Sequence, residues 1–209
     1  DGGAITEISK QNTDLLIVIN GSPFEHGKDD VRLELLQKRV KQINAPIAYV
    51  NMVGGQDELV FDGDSIVVNK NGKVAARASQ FVEELIIFEF DKNKEIESSI
   101  IRNRSDDLAE VYQALVVGLQ DYVLKNNLES VVLGLSGGID SALVAAIAVD
   151  AIGGENVYGV SMPSQYSSEH SKDDAKELAK NLNINYRTVE IKPFFDSFQN
   201  SLHLTKLAE

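Results

Sequence analysis

The segment Ser136-Gly-Gly-Ile-Asp-Ser141 contains residues whose types and spacing suit the binding of phosphate. It follows an apolar run at 131–135 and precedes an alanine-rich segment at 142–151, so it is predicted to be a strand-to-helix turn. Gly137 and Gly138 have no Cβ, which lets backbone N–H groups approach phosphate oxygens closely. The serines add hydroxyl donors, and the helix N-terminus adds N–H groups and a positive dipole. The turn is therefore predicted to hold a pyrophosphate.

Asp140 is the acidic residue of this turn, and a carboxylate alone repels phosphate. Its position favours Mg²⁺ binding, because carboxylate and phosphate oxygens can share that ion. Residues 105–209 carry 7 Lys and Arg against 15 Asp and Glu. We therefore expect Mg²⁺ on Asp140 and helix N-termini, rather than lysine, to neutralise the phosphates. The same acidity argues against a nucleic-acid partner, because it repels the nucleic-acid backbone.

This strand, loop and helix resemble the signature of the PP-loop ATP pyrophosphatases. The resemblance implies that ATP is cleaved between its α and β phosphates and that adenylate passes to a substrate. A turn without a ligand is the alternative, but such turns rarely carry two serines and an aspartate. The residues that the resemblance assigns to ATP are Gly134, Leu135, Ser136, Gly137, Gly138, Ile139, Asp140 and Ser141.

Residues 158–178, which include Met-Pro-Ser-Gln-Tyr-Ser-Ser-Glu-His-Ser, resemble a second segment of the NAD synthetase family. In that family the strand ending in Met-Pro lies beside the adenine, so the resemblance places Met162 against the base of ATP. The alternative is a core methionine at a strand end, with Pro163 only stopping the strand. His170 is interpreted as a positioning or capping residue rather than a proton carrier, and the role of Tyr166 stays open.

Two segments of the N-terminal third, at 21–28 and 49–63, resemble the latter part of a nitrilase-like glutamine amide hydrolase domain. Nitrilase-like and PP-loop parts in this order are typical of glutamine-dependent NAD synthetases. The resemblance implies that Ser22 and Lys28 hold glutamine, since a hydroxyl and an ammonium together can bind an α-carboxylate or α-amino group. Simpler roles remain open, with Ser22 as a turn residue before Pro23 and Lys28 as a solvated charge.

The hydrophobic pattern predicts an α/β chain in three parts. Residues 1–90 are expected to be the C-terminal part of a nitrilase-like α-β-β-α domain, and the charged segment 91–105 an interdomain linker. Residues 106–209 are expected to contain the first βαβαβ units of a Rossmann-like PP-loop domain, with parallel strands and a nucleotide at their carboxyl ends.

Local signals place the elements within these parts. Leu33, Leu36, Val40 and Ile43 recur at helical spacing and predict a helix from Asp29 or Asp30 with one buried face. A second helix is predicted with Ser105 or Asp106 as its N-cap. Asn71-Gly72 predicts a hairpin. The predicted strands are 14–20, 46–53, 65–70, 73–78, 85–90, 131–135, 157–162 and 186–191.

The family resemblance implies a complete reaction. ATP adenylylates the nicotinate carboxylate of nicotinic acid adenine dinucleotide (deamido-NAD), and ammonia from glutamine displaces AMP to form NAD. It also implies Mg²⁺ and a homo-oligomer. The lack of cysteine indicates a reducing, cytoplasmic location, and no apolar run approaches the roughly 18 residues of a membrane span, so no membrane partner is expected. The alternatives are another PP-loop amidotransferase, a non-catalytic ATP-binding sensor and, less well supported, a lone nitrilase-type hydrolase.

The chain departs from this pattern in two respects: it contains no cysteine, and it ends at Leu207-Ala208-Glu209, before the family's substrate-binding and second metal-ligand segments. The nitrilase-like triad of glutamate, lysine and cysteine is therefore expected upstream of Asp1. We predict that the chain as given is an internal fragment, which neither hydrolyses glutamine nor makes NAD.

Overall fold

The computed structural model describes residues 3–91, 96–97, 99–164 and 167–202. The chain divides into two compact units, Asp1–Tyr122 and Val123–Glu209, which we call unit 1 and unit 2. The elements are α1 (Ala4–Ser9), β1 (Leu16–Asn20), α2 (Lys28–Ile43), β2 (Ile47–Asn51), β3 (Val53–Gln56), β4 (Leu59–Asp62), β5 (Ile66–Val68), β6 (Val74–Arg77), α3 (Asp107–Lys125), β7 (Val131–Gly134), α4 (Ile139–Ile152), β8 (Val157–Ser161), α5 (Glu169–Asn181), β9 (Asn185–Thr188) and α6 (Lys192–Ser201).

The main sheet of unit 1 has the strand order β1-β2-β5-β6 in its described residues. β1 and β2 are parallel, and the β2–β5 and β5–β6 pairs are antiparallel. α2 packs against this sheet because Leu36, Val40 and Ile43 recur at helical spacing and are buried with Ile47 and Ile66. The predicted helix and its buried face are confirmed.

The described residues of unit 1 also include two β-hairpins and the capped N-terminus of a helix. β3 and β4 form an antiparallel hairpin. Gly72 lies between β5 and β6 with φ 84°, and its N–H donates to the carbonyl of Asn69 at 2.8 Å, so the predicted Asn71-Gly72 hairpin is confirmed. The Asp106 carboxylate accepts a hydrogen bond from the N–H of Ala109 at 2.9 Å, which confirms it as the cap of α3.

The strand predicted at 85–90 is wrong, because those residues form no strand ladder in the described structure. Burial nevertheless alternates along the segment, since Ile86 and Phe88 pack against the core while Ile87 is exposed. The segment 99–102 instead lies along β6.

This pairing is made by backbone hydrogen bonds around Arg77. Its N–H donates to the carbonyl of Ile100 at 2.9 Å, and the N–H of Arg102 donates to the Arg77 carbonyl at 3.1 Å. The apolar run at 85–90 predicted a strand, but it could not identify the partner of β6.

Unit 2 contains a parallel sheet in the order β7-β8-β9, as the alternation of strands and helices predicted. α4 and α5 connect these strands. Leu135, Ala145, Ala175 and Ala179 form the buried core of the unit. The small alanines let both helices approach the sheet closely. The outcome is a βαβαβ unit that places the Ser136–Ser141 loop at the carboxyl end of β7.

Candidate nucleotide site and a polar cluster in unit 1

The loop from Leu135 to Gly138 is anchored at its start in the core of unit 2. Leu135 is buried, and its N–H donates to the carbonyl of Val160 at 2.9 Å. A Cβ on Gly159 of β8 would lie 2.5 Å from Cδ1 of Leu135, so this glycine leaves the space that the leucine fills. The side chain of Leu135 thus belongs to the core, and its backbone borders the candidate site.

The two serines of the loop are joined by a small hydrogen-bond network. The hydroxyl oxygens of Ser136 and Ser141 are 3.1 Å apart, and the Ser141 hydroxyl donates to the carbonyl of Gly138 at 3.0 Å. The N–H of Gly138 donates to the Ser136 hydroxyl oxygen at 3.2 Å. These contacts hold the two ends of the loop together, so its backbone is preorganised.

The two glycines of the loop have different structural roles. Gly137 has φ 80°, and a Cβ there would lie 2.2 Å from the carbonyl oxygen of Ser171 on α5. Gly138 has φ −92° and ψ 160°, an extended conformation open to any residue. The sharp turn predicted for both glycines is therefore made at Gly137.

The N-terminus of α4 presents donors without intrahelical partners. Ile139, Asp140 and Ser141 form its first turn, and Gly138 in the N-cap position has no side chain to cap them. Their N–H groups therefore remain available to an anion. Asp140 is exposed at the same end of the helix. The arrangement suits a phosphate group together with a cation that shares the carboxylate.

A cavity of about 220 Å³ lies beside this loop, within unit 2. It brings together Gly134, Leu135, Ser136 and Met162 from the predicted ATP set. Met162 is 51% exposed, so its alternative role as a core residue is wrong. The remaining lining residues are Val160, Ser161, Pro163, Ser167, Ser171 and Lys172.

Lys172 is a lining residue that the sequence reasoning missed. The expectation that phosphate neutralisation needs no lysine rested on the charge of 105 residues together, which does not reveal where one cation lies. His170 does not cap α5; Ser168 does, because its hydroxyl accepts a hydrogen bond from the N–H of Ser171 at 3.2 Å. Tyr166, whose role was left open, lies outside the described residues.

Asp140 is a single carboxylate rather than part of a preformed metal cage. The described residues contain no group of three or more His, Asp or Glu side chains placed to bind one metal ion. Mg²⁺ is commonly held by one or two carboxylates together with substrate phosphates and water. The residues at the start of α4 therefore fit that ion.

In unit 1, Ser22 belongs to a buried polar cluster centred on Arg32. Arg32 Nε and Nη2 both donate to the Ser22 hydroxyl oxygen, at 3.3 and 3.2 Å. Arg32 Nη1 pairs with Asp62 Oδ2 at 2.5 Å, and Asn51 Nδ2 donates to Asp62 Oδ1 at 3.3 Å. Burial alone would lower the pKa of Arg32, but the hydrogen bond and charge of Asp62 raise it. The guanidinium therefore fixes both the turn at Ser22 and β4.

Lys28, the other residue predicted to hold glutamine, lies at the start of α2. Its ammonium is 3.4 Å from Oε2 of Glu25, in a pair whose carboxylate is 74% exposed. The structure thus gives Ser22 and Lys28 different neighbours, and a shared glutamine stays a prediction. Sequence spacing gave no signal for the Arg32–Asp62 pair, because thirty residues separate its members.

Two further acids of unit 1 have shifted pKa values. Burial raises the pKa of Asp64 to about 6, even though Arg77 Nη1 lies 3.0 Å from its Oδ1. Asp64 also has φ 48°, in the left-handed region. Hydrogen bonds from Arg102 and from the N–H of Ser79 lower the pKa of Glu84 to about 2.

Comparison with known proteins identifies both parts of the chain. A model of the carbon-nitrogen hydrolase family matches residues 3–97, and a model of the NAD synthase family matches residues 111–208. A glutamine-dependent NAD(+) synthetase of Acinetobacter baylyi is 43% identical over 200 residues, which cover 95% of this chain. The chain belongs to the glutamine-dependent NAD(+) synthetase family. The predicted mixed α/β fold, with nitrilase-like and PP-loop parts in this order, is confirmed.

Other members of the glutamine-dependent NAD(+) synthetase family are similarly related. The relative from Synechocystis sp. is 42% identical over 200 residues, and that from Aquifex aeolicus is 39% identical over 230 residues. Each alignment covers 95% of this chain, but the chain spans only 37%, 36% and 41% of the Acinetobacter baylyi, Synechocystis and Aquifex relatives, respectively.

Solved structures of glutamine-dependent NAD(+) synthetases have the same fold as this chain. Glutamine-dependent NAD(+) synthetase from Acinetobacter baumannii, determined with ADP, has a TM-score of 0.91 and 44% identity, covering 96% of this chain and 38% of its own. The Cytophaga hutchinsonii enzyme shares the fold, with a TM-score of 0.73 at 17% identity, covering 93% of this chain and 42% of its own.

The domain limits predicted at 1–90, 91–105 and 106–209 stay a prediction. The two family matches leave residues 98–110 between them, whereas the compact units divide after Tyr122. None of the helices in the described ranges has the length and apolar character needed to cross a membrane.

Proposed function

We propose that the full-length protein containing this chain is a glutamine-dependent NAD synthetase. ATP adenylylates the nicotinate carboxylate of deamido-NAD, with release of pyrophosphate, and ammonia from glutamine then displaces AMP to give NAD. The observation that carries this proposal is the uncapped first turn of α4 beside a cavity, at the carboxyl end of β7. The ADP complex of the Acinetobacter baumannii relative supports an adenine nucleotide as the ligand.

Within this proposal, the N–H groups of Ile139, Asp140 and Ser141 hold phosphate oxygens of ATP, and Met162 borders the adenine. A carboxylate is a poor electrophile, and its conversion to a mixed anhydride with AMP supplies a good leaving group. The fixed backbone dipoles of α4 stabilise the negative charge that develops on the departing pyrophosphate. When bound at Asp140, Mg²⁺ supplies further positive charge at those oxygens.

The hydrogen bonds within the polar cluster of unit 1 determine which hydrogen bond the Ser22 hydroxyl can still make to a ligand. Its oxygen already accepts two N–H groups of Arg32, so its free capacity is the O–H donor. The Lys28 ammonium has donors and no acceptor. We infer that this pair binds the α-carboxylate of glutamine rather than its α-amino group. Ser22→Ala should then raise the KM for glutamine and leave NAD formation from ammonia unchanged.

The adenylylated intermediate has a direct test in the full-length protein. Deamido-NAD labelled with ¹⁸O in its nicotinate carboxylate should transfer one label to AMP, with one pyrophosphate and one NAD formed. AMP that carries no label would contradict the proposed reaction. Measuring which acid substrate stimulates AMP formation distinguishes this function from that of a GMP or asparagine synthetase relative. An intact protein that binds ATP but never forms pyrophosphate would be a sensor.

The homo-oligomer, the cytoplasmic location and the absence of nucleic-acid and membrane partners stay predictions. The family resemblance supports the homo-oligomer, and the acidity of the C-terminal half argues against a nucleic-acid partner. Sedimentation of the full-length protein tests the first of them.

A further inference from the structure

A lysine of α5 lies beside the same cavity as the Ser136–Ser141 loop. Lys172 lines this cavity together with Ser136, Met162 and Ser171. Its side chain is 36% exposed, so the side chain is neither buried in the core nor fully solvated. Lys172 therefore borders the space that a nucleotide would occupy.

The backbone of Lys172 is held in place relative to the loop. The preceding residue, Ser171, makes the close approach to Gly137, where even a Cβ would lie 2.2 Å from the Ser171 carbonyl oxygen. The first turn of α5 cannot move toward the loop without a clash. The four-carbon side chain of lysine can nevertheless turn its ammonium within the cavity.

Lys172 differs in charge from the other residues that line the cavity. Among the described lining residues, Lys172 is the one with a charged side chain, and the others are neutral. A triphosphate in this cavity would carry several negative charges, which the donors of α4 satisfy only in part. An ammonium at the edge of the cavity supplies a full positive charge and three N–H donors.

The present partner of Lys172 is a weak competitor. Lys172 Nζ lies 2.8 Å from Oε1 of Glu169, whose side chain is 82% exposed. Exposed pairs of this kind contribute little, because water screens the attraction and both side chains lose freedom. The hydrogen bond from Lys172 to Glu169 and one to phosphate are both charge-assisted, but a triphosphate presents several negative charges where Glu169 presents one. A bound phosphate can therefore displace Glu169.

We propose that Lys172 is a nucleotide-binding residue whose ammonium leaves Glu169 and donates to a phosphate oxygen of ATP at the Ser136–Ser141 loop. This rests on the proposed function, in which ATP occupies the cavity. Glu169 then holds the ammonium near the cavity until the nucleotide arrives.

Calorimetric titration of the full-length protein tests this role with two probes, Mg-ATP and adenosine. Lys172→Gln should weaken Mg-ATP binding by roughly tenfold, because a hydrogen bond to a charged group is lost. Adenosine has no phosphate, so its affinity should not change. Lys180→Gln, at an exposed position farther along α5, makes the same charge change and should leave both affinities unchanged. Equal weakening of adenosine binding by Lys172→Gln would overturn the proposal.

Glu169→Gln separates a charge effect from a structural one. Removing the competing carboxylate should leave Mg-ATP affinity unchanged or strengthen it by up to about threefold. If Glu169→Gln instead weakens Mg-ATP binding as much as Lys172→Gln does, the ion pair supports the fold of α5 and the proposed exchange is wrong.

Pyrophosphate release by the wild-type protein distinguishes the two proposals. If Mg-ATP binds and no pyrophosphate forms with deamido-NAD, the proposed function is wrong, and the affinity comparison still decides the role of Lys172. If pyrophosphate forms while Lys172→Gln binds Mg-ATP as the wild type does, the role of Lys172 is wrong. If the wild type binds no Mg-ATP, both are wrong.

Discussion

Gly137 and Ser171 approach each other so closely that no side chain fits between the Ser136–Ser141 loop and α5. A Cβ on Gly137 would lie 2.8 Å from the Cα of Ser171 and nearer still to its carbonyl oxygen. The glycine also has φ 80°, a conformation that other L-residues rarely adopt. Gly137 therefore lies in direct contact with the helix that carries Lys172.

Gly137→Ala should destabilise unit 2 by roughly 2–5 kcal/mol, because it adds a strained φ and an overlap with backbone atoms that cannot turn away. Urea unfolding, with amide hydrogen exchange of α4 and α5 as the readout for unit 2, measures this loss. A Gly137→Ala protein as stable as the wild type would show that α5 can withdraw from the loop.

Gly138→Ala is the matched change at the neighbouring position. Its backbone is extended, and a Cβ would lie 3.3 Å from the Ser136 hydroxyl oxygen, which is near the limit of tolerance. Stability should fall by less than about 1 kcal/mol. Mg-ATP affinity should fall by at least about tenfold, because the methyl group occupies space that a phosphate oxygen needs. Unchanged affinity would place the phosphate away from Gly138.

Asp62→Ala tests the buried pair that organises unit 1. The change leaves the Arg32 guanidinium buried without its carboxylate, and such losses typically amount to about 3–5 kcal/mol. Glu25→Ala removes the partner of Lys28 at an exposed site and should change stability by less than about 1 kcal/mol. Hydrogen exchange of α2 amides reports both effects. Equal effects would mean that the Arg32 cluster is not what fixes β4 against α2.

Asp64 should make the stability of unit 1 depend on pH. Burial raises its pKa from 3.8 to about 6 in the folded state. Its contribution is thus fully present below pH 3.8 and is lost as the pH rises through 6. Between pH 4 and 7 the wild type should lose on the order of 3 kcal/mol relative to Asp64→Asn, which cannot titrate. Asparagine also tolerates the left-handed backbone at this position.

Asp57→Asn provides the control for that experiment. Asp57 also has a left-handed backbone, with φ 51°, but its side chain is exposed. Urea unfolding at several pH values should therefore show the same pH dependence for Asp57→Asn as for the wild type. A stability difference between wild type and Asp64→Asn that stays constant from pH 4 to 7 would contradict the raised pKa.

Sequence patterns predicted several helices, strands and turns because these elements depend on interactions between residues that are close in the sequence. The spacing of Leu36, Val40 and Ile43 indicated the buried face of α2, and Asn71-Gly72 indicated the hairpin between β5 and β6. The Ser136–Ser141 segment and the apolar residues on both sides of it also predicted a strand, a loop and a helix. In each case the residues that decide the structure are neighbours in the sequence.

Relationships between distant residues were not predictable in this way. The apolar run at 85–90 was predicted to be a strand, but the partner of β6 came from 99–102. The Arg32–Asp62 pair and the placement of Lys172 beside the loop both depend on how elements pack. α1 and α6 are short and were not predicted.

A crystal structure of the full-length protein soaked with Mg-ATP would show directly whether the Ser136–Ser141 loop binds phosphate. We predict phosphate oxygens within about 3 Å of the backbone nitrogens of Ile139, Asp140 and Ser141, with the adenine beside Met162. A triphosphate bound elsewhere in the protein, with no density at residues 136–141, would contradict the account.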